Sequence, residues 1–345
     1  MSPDNPLAKK PSPEPSLAAS YQEWDLRGWV STKWIIIGLV ACVLLSISAR
    51  RTGIDRGAVM IVEGAGEALG LTEESAVGRG FASFWDRAFP FVFEERTPVA
   101  RIEDFNERQL PWFSRLQSEP EREFDAEQGI WHETGERQVL IEPFGYLFRA
   151  IGLMLETIEI ALWGTLMALV LAIPLAIGGT RDYCGHRILY VVSRGICSLN
   201  RAVPELISAM WFVLMFGFGA VPGILALGFH ASGFLGKFFA DDVENLPKGP
   251  QQTLRSSGAN RLKVLRYAVI PPALPQFVAY TQYILERNVR TASVLGIVGA
   301  GGIGMELKGR WDLSDFGHVS TILLVIFGTV VGLETLTQRI RARII

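Results

Sequence analysis

A chain of 345 residues with 49% hydrophobic content, 35 glycines and a positive mean hydropathy is composed like a membrane protein. Its formal net charge of -2 averages an acidic middle over basic loops, so it gives no uniform field for nucleic acid. The three cysteines, Cys42, Cys184 and Cys197, have no C-x-x-C spacing, which excludes a disulfide framework or cysteine metal site as the organising feature.

Residues 1–33 are rich in Pro, Ser, Lys and Glu, lack apolar periodicity and predict a disordered cytoplasmic tail. Residues 34–49, WIIIGLVACVLLSISA, predict a first, uncleaved transmembrane helix flanked by Trp29 and Trp34. Residues 50–150 read as an insert outside the membrane. Its second half, Glu94 to Glu142, holds 13 acidic and 6 basic residues in short alternating runs, with turn signals at Gln128-Gly129 and Thr134-Gly135, and so predicts a small β-containing unit. Contact with a binding protein and simple decoration are both open to it, with decoration the plainer reading.

From residue 151 to 345 the pattern is that of a helical core with five further spans. Thr157–Gly179 is the second span, and Arg181, Arg187 and Arg194 after it place that end in the cytoplasm. Ile188–Phe218 is too long for one straight span and is interrupted around Asn200, Arg201, Val203, Pro204 and Glu205, where charge at depth must face protein or water. The fourth span, Val221–Ala240, carries Gly228, Ser232, Gly233 and Gly236 for close helix contact.

A basic loop follows, from about 241 to 270. Leu254, Leu262, Val264 and Leu265 suit the apolar faces of two short helices meeting at Gly258, where glycine tolerates a left-handed helix end. Arg255, Arg261, Lys263 and Arg266 would cover the sides of the resulting knob. Pro271, Pro272 and Pro275 are expected to stop the second short helix and start the fifth span, Pro275–Ile297. Taken alone, the loop reads equally as an ordinary basic cytoplasmic connection. The fifth span contains Glu286, Arg287, Asn288 and Arg290. Glu286 and Arg290, one helical turn apart, favour a structural ion pair; the alternative is that Arg201, Arg287 or Arg290 attracts an anion in a pathway. Val319–Leu336 is the sixth span, and Arg339, Arg341 and Arg343 put the C-terminus in the cytoplasm.

Two motifs invite a nucleotide reading. Gly299–Gly304 spells G-x-G-x-x-G, but a membrane helix precedes it where a strand is required, so the glycines read as a close-packed break. Gly304–Arg310 has arginine in place of the phosphate-holding lysine, and ATP cannot bind by that route. The four histidines share no ligand spacing, and His230 reads as a packed residue bonded to a neighbouring helix.

The loop QTLRSSGANRLKVLRYAVIPPALP, residues 252 to 275, resembles that of bacterial ABC importer permeases, whose pattern is E-A-A-x-x-x-G followed by a run ending I-x-L-P. The glycine falls on Gly258 and the closing pair on Leu274 and Pro275, while Gln252 and Thr253 replace the family's Glu-Ala. RAVPEL at Arg201–Leu206, GFHASGFLGKFF at Gly228–Phe239 and NVRTASVLGIVGAGGIG at Asn288–Gly304 resemble the phosphonate-uptake, PhnE-like branch. The resemblance, from about Ile151 to Ile345, implies an all-α integral membrane protein of the type I importer permease fold with six spans. It further implies a homodimer in the bacterial inner membrane, partnered by ATP-binding subunits that hold ATP and Mg and by a periplasmic phosphonate-binding protein. The chain itself would hold no cofactor and catalyse nothing. Gln252, Thr253, Leu254, Arg255, Gly258, Ala259, Arg261, Leu262, Leu265, Arg266 and Pro275 would form the loop that grips the ATPase. A permease for another solute, such as an amino acid, or a membrane enzyme acting on lipid, are the competing classes.

Overall fold

The computed structural model describes residues 32–70, 75–89, 91–102, 105, 110–111, 113–125 and 130–344. The expected tail and the turn at Gln128-Gly129 lie outside these residues, and Thr32 and Lys33 already belong to the first helix. Two compact units divide at Ala82/Ser83.

In the first unit, α1 (Thr32–Thr52) and α2 (Ile54–Ala68) meet at Gly53, and their apolar stretches are bent by 74°. A third helix, α3 (Ala76–Ala88), runs across the division. The expectation of a polar insert from residue 50 onward missed both α2 and α3. Each alternates polar residues with an apolar stripe, which lowers local hydropathy without weakening helical periodicity.

The second unit opens with a three-stranded antiparallel sheet of order β1-β3-β2, built from β1 (Glu95–Pro98), β2 (Arg115–Asp125) and β3 (Ile130–Glu142). Thr134-Gly135 makes no turn. It lies within β3, where Glu121 pairs with Gly135 and Arg122 with Glu133, so Thr134 is the extra residue of a bulge and the pair marks a local irregularity of the ladder rather than its end. Val139, Leu140 and Ile141 are all buried, which shows the end of β3 covered on both faces.

The chain before β1 fastens the sheet to the helices. Phe93 O accepts from Tyr146 N at 3.0 Å and Leu147 N at 3.3 Å, satisfying donors at the start of α4 (Gly145–Gly178) that the helix cannot satisfy itself. Thr321 Oγ1 donates to Val92 O at 2.7 Å, which ties the same segment to α12 (Phe316–Ile344).

Eight further α-helices follow α4 among the described residues. After α4 come α5 (Arg187–Ala202) and α6 (Glu205–Phe216), which meet at 90°, then α7 (Ala220–Asn245). The break falls at Val203-Pro204, within the stretch where charge and proline predicted it. A short α8 (Lys248–Ser256) and α9 (Arg261–Val264) precede the long α10 (Ile270–Leu295); α11 (Ile303–Asp312) and α12 close the chain. Among the described residues, α4, α7 and residues 316–339 of α12 are long and apolar enough to cross a membrane. The two bent pairs, α1–α2 and α5–α6, bring that number to five if each is one span. At 26 residues α10 would reach about 39 Å at 1.5 Å per residue, but its charged stretch keeps it below the apolar criterion.

The core forms where α4 lies along α7. Ala161, Ala168, Ala172 and Ala176 fall on one helical stripe and are buried with Leu227, Ala231 and Leu235, so small side chains let the two backbones approach. The glycine break is tighter still. Gly299, Gly301 and Gly302 have φ of 94°, 82° and 69°, and a Cβ on Gly304 would lie 2.1 Å from Ser293 O. Gly304→Ala is therefore expected to cost about 1–3 kcal/mol, because backbone cannot move aside as a side chain can. Gly309→Ala, in open space on the same helix, is expected to stabilise by up to about 1 kcal/mol. Thermal unfolding of the two purified variants checks this opposition of sign; equal shifts would contradict the packing described.

Candidate functional site

The basic loop folds into a knob. Gly258, at φ 83°, ends α8: its N–H donates to Arg255 O at 3.0 Å and the Ala259 N–H to Leu254 O at 3.0 Å, the paired bonds of a Schellman turn. Asn260 then caps α9, its Oδ1 accepting from Lys263 N at 2.9 Å. Gln252, Thr253, Arg255, Gly258, Arg261, Leu262 and Arg266 are exposed, while Leu254, Ala259 and Leu265 are half-buried and Val264 is buried. With Lys263, also exposed, Arg255, Arg261 and Arg266 make four exposed cations around a surface that includes Leu262, 73% exposed, and Tyr267.

The far side of the knob is anchored to the turn between α4 and α5. Lys248 pairs with Asp182, Arg181 N donates to Glu244 at 2.8 Å, and the Tyr183 hydroxyl donates to buried Gln251 at 3.3 Å. Burial raises the Tyr183 phenol above its ordinary pKa, so it remains a donor at neutral pH. Arg194 reaches Gly179 O at 2.8 Å and Glu244 at 3.3 Å, and also pairs with Asp241.

The prolines after the knob do not stop the helix, contrary to expectation. Residues 261–295 are helical without interruption, passing through a π turn at Leu265–Val269 in which Ile270 N donates to Leu265 O. Pro271 and Pro272 then occupy the first turn of α10, and exposed Pro275 lies inside it. Widening by one residue lets the chain absorb the missing proline donors without breaking. One rod therefore links the knob to the charged stretch of α10.

Along that rod the predicted polar residues separate into two groups. Arg290 pairs with Glu286 at 3.0 Å within α10, and Glu286 also accepts from Thr337 of α12 at 3.5 Å. Asn288 is buried, with Nδ2 donating to Thr165 of α4 at 2.9 Å. Glu286 and Asn288 tie α10 to α12 and α4, and Arg290 is held within α10.

Arg287 turns instead toward the α5–α6 break. Its Nη2 pairs with Glu205, the first residue of α6, and lies 2.8 Å from His230 Nε2 of α7. His230 Nε2 is also 3.1 Å from Glu205 Oε1, and Nδ1 lies 3.0 Å from Val203 O. With Arg287 donating to Nε2, the network assigns the ring proton to Nδ1, which donates to the free carbonyl at the break. Pro204 is exposed and immediately precedes α6, with no backbone donor of its own.

Arg201, at the end of α5, completes the group. Its Cζ stands 4.6 Å from the Phe234 ring centroid and the Arg287 Cζ stands 4.7 Å from the same centroid. Among the described residues Arg201 makes no ion pair, and its buried Nε has no hydrogen-bond partner; neither does Oδ1 of neighbouring Asn200. Sequence reasoning missed Phe234. Its only signal was its spacing, one turn after His230 on an apolar helix.

Residues 164–338 match the family described as binding-protein-dependent transport system inner membrane component. Over 260 residues, 74% of this chain and 100% of the relative, the sequence is 44% identical to a protein of Stutzerimonas stutzeri named as the phosphite transport system permease HtxE. It is 37% identical over 189 residues, 55% of this chain and 36% of the relative, to the phosphate-import permease PhnE of Mycolicibacterium smegmatis. A chain of the inward-facing MetNI methionine ABC transporter superposes with a TM-score of 0.50 at 22% identity, covering 58% of this chain and 96% of that one, which shows a shared fold. With the family model spanning half of the sequence and one relative aligned over its whole length, this chain belongs to the binding-protein-dependent transport system inner membrane components.

Proposed function

We propose that this chain is the membrane permease subunit of an ATP-driven importer for phosphonates or related phosphorus oxyanions, a class that includes phosphite, phosphate and phosphate esters. Two copies form the translocation pathway, ATP-binding subunits that hold ATP and Mg grip the Gly258 knob, and a periplasmic binding protein delivers the ligand. In this reading the chain crosses the inner membrane six times, with α10 as the fifth span, both termini in the cytoplasm and the sheet outside. Arg201, Pro204, Glu205, Arg287 and the neighbouring stretch through Arg290 line or brace the route.

The observation that carries the proposal is the continuous helix from the exposed knob to Arg287. A push on Arg261–Arg266 is passed along continuously helical backbone to a cation that sits at the α5–α6 break, so the partner's stroke reaches the polar group without a non-helical link. The phosphorus-oxyanion assignment draws on the resemblance to the phosphite and phosphate permeases, and the likeness to MetNI contributes the fold alone.

The test is ATPase activity of the reconstituted complex with phosphite, phosphate, methylphosphonate and methionine presented through its binding protein. Stimulation of at least several-fold by one or more phosphorus oxyanions, and none by methionine, is expected. Stimulation by methionine alone would select the amino-acid permease instead.

A further inference from the structure

The group at the α5–α6 break has more positive charge than its own carboxylate can neutralise. Two guanidinium groups, Arg201 and Arg287, stand over one ring, and Glu205 is the carboxylate paired with either of them. Holding a cation in a membrane protein without a counter-charge is costly, and the face of Phe234 offsets only part of that cost. The buried, unbonded Nε of Arg201 sharpens the point, because a guanidinium with five fixed donors is left with an empty position inside the protein.

We propose that this is an anion-exchange site, in which a phosphorus oxyanion bonds Arg201 and displaces Glu205 from Arg287. This rests on the reading of the chain as an oxyanion permease and names where that anion binds. A tetrahedral phosphorus oxyanion carries oxygens in several directions and can accept from two guanidinium forks at once, which a planar carboxylate accomplishes less well. Glu205 is built to compete. Its Oε1 shares the Arg287 guanidinium with the unprotonated Nε2 of His230, 3.1 Å away, so the imidazole keeps an acceptor on the arginine when the carboxylate leaves. When α10 draws Arg287 from the anion and returns it to Glu205, the ion pair re-forms and the ligand is expelled, which reconciles recognition with release.

The separation of roles among the arginines follows from geometry. Arg290 is held by Glu286 on the same helix and takes no part. Arg201 lies on α5 and Arg287 on α10, so the site is complete only while those helices keep the approach that puts both over Phe234. Relative movement of the two helices changes the affinity of the site directly.

Arg201→Gln tests the proposal, since no ion pair is lost with it. In proteoliposomes containing the full transporter, apparent KM for phosphite, phosphate and methylphosphonate uptake is expected to rise at least tenfold, with the complex assembled as in the wild type. Arg201→Lys, which keeps the charge and loses the fork, is expected between the two. In a second measurement, millimolar phosphite or phosphate is expected to raise the thermal unfolding temperature of the wild-type permease and not of Arg201→Gln. If both proteins respond alike in KM and in thermal shift, the site is elsewhere while the importer reading stands. If the wild type neither carries nor is stabilised by any of these oxyanions, both the importer reading and the site fall together.

Discussion

Glu205→Ala is expected to lower the stability of the permease by about 3 kcal/mol, the lower end for removing one partner of a buried ion pair, because both side chains are about one-quarter exposed. The loss is not that of the contact alone. Removing the carboxylate strands Arg287 beside Arg201, two cations over one ring, and leaves His230 with an arginine as its remaining side-chain partner in the group. Glu205→Leu/Arg287→Leu is expected to recover most of the stability, to within about 1 kcal/mol of the parent, since it removes the stranded charge together with its partner. A double-mutant cycle with Glu205→Leu and Arg287→Leu as the single variants, on detergent-solubilised protein, measures the coupling. Additive losses from the two single variants would show that the pair contributes nothing as a pair. The double variant is also expected to lose oxyanion uptake, so stability and transport part company at this position.

That pair illustrates what the sequence withholds. Glu286 and Arg290 are legible as partners because one helical turn relates them, and the structure brings them to 3.0 Å. Glu205 and Arg287 are 82 positions apart on different helices, and no periodicity connects them. The 90° bend at Val203-Pro204 was legible from a proline set among charged residues in an apolar run, and the Gly258 knob from a glycine between two short amphipathic stretches. Pro271, Pro272 and Pro275 misled because a proline rule is local, whereas the π turn before them is a compromise made by a helix packed along its length. Residues 54–68 and 76–88 escaped notice for a different reason: their polar residues are spread around helices whose stripe is visible only at a period of 3.6.

Gly258→Val is expected to abolish coupling, with uptake falling more than tenfold while the permease remains folded. At φ 83° a β-branched side chain meets the backbone, at a local cost of about 1–2 kcal/mol. A bundle with its core elsewhere tolerates that cost, but the knob does not keep its shape. Relief of the strain requires the residue to leave the left-handed region, which breaks the bonds from Gly258 N to Arg255 O and from Ala259 N to Leu254 O. The two arms then splay, and Arg255 on one no longer holds its position relative to Arg261 and Arg266 on the other. Those exposed cations are the surface on offer to a partner, so their disarrangement weakens the grip on the ATP-binding subunit. Gly258→Asn provides the control, because asparagine occupies left-handed backbone at little cost. It is expected to retain most of the uptake and ATPase stimulation that Val removes. Since no side chain meets position 258 in open space, any difference between Val and Asn reports backbone geometry rather than crowding. Equal transport by the two variants would mean that the shape of this turn does not carry the stroke, and the force must then enter the bundle by another contact.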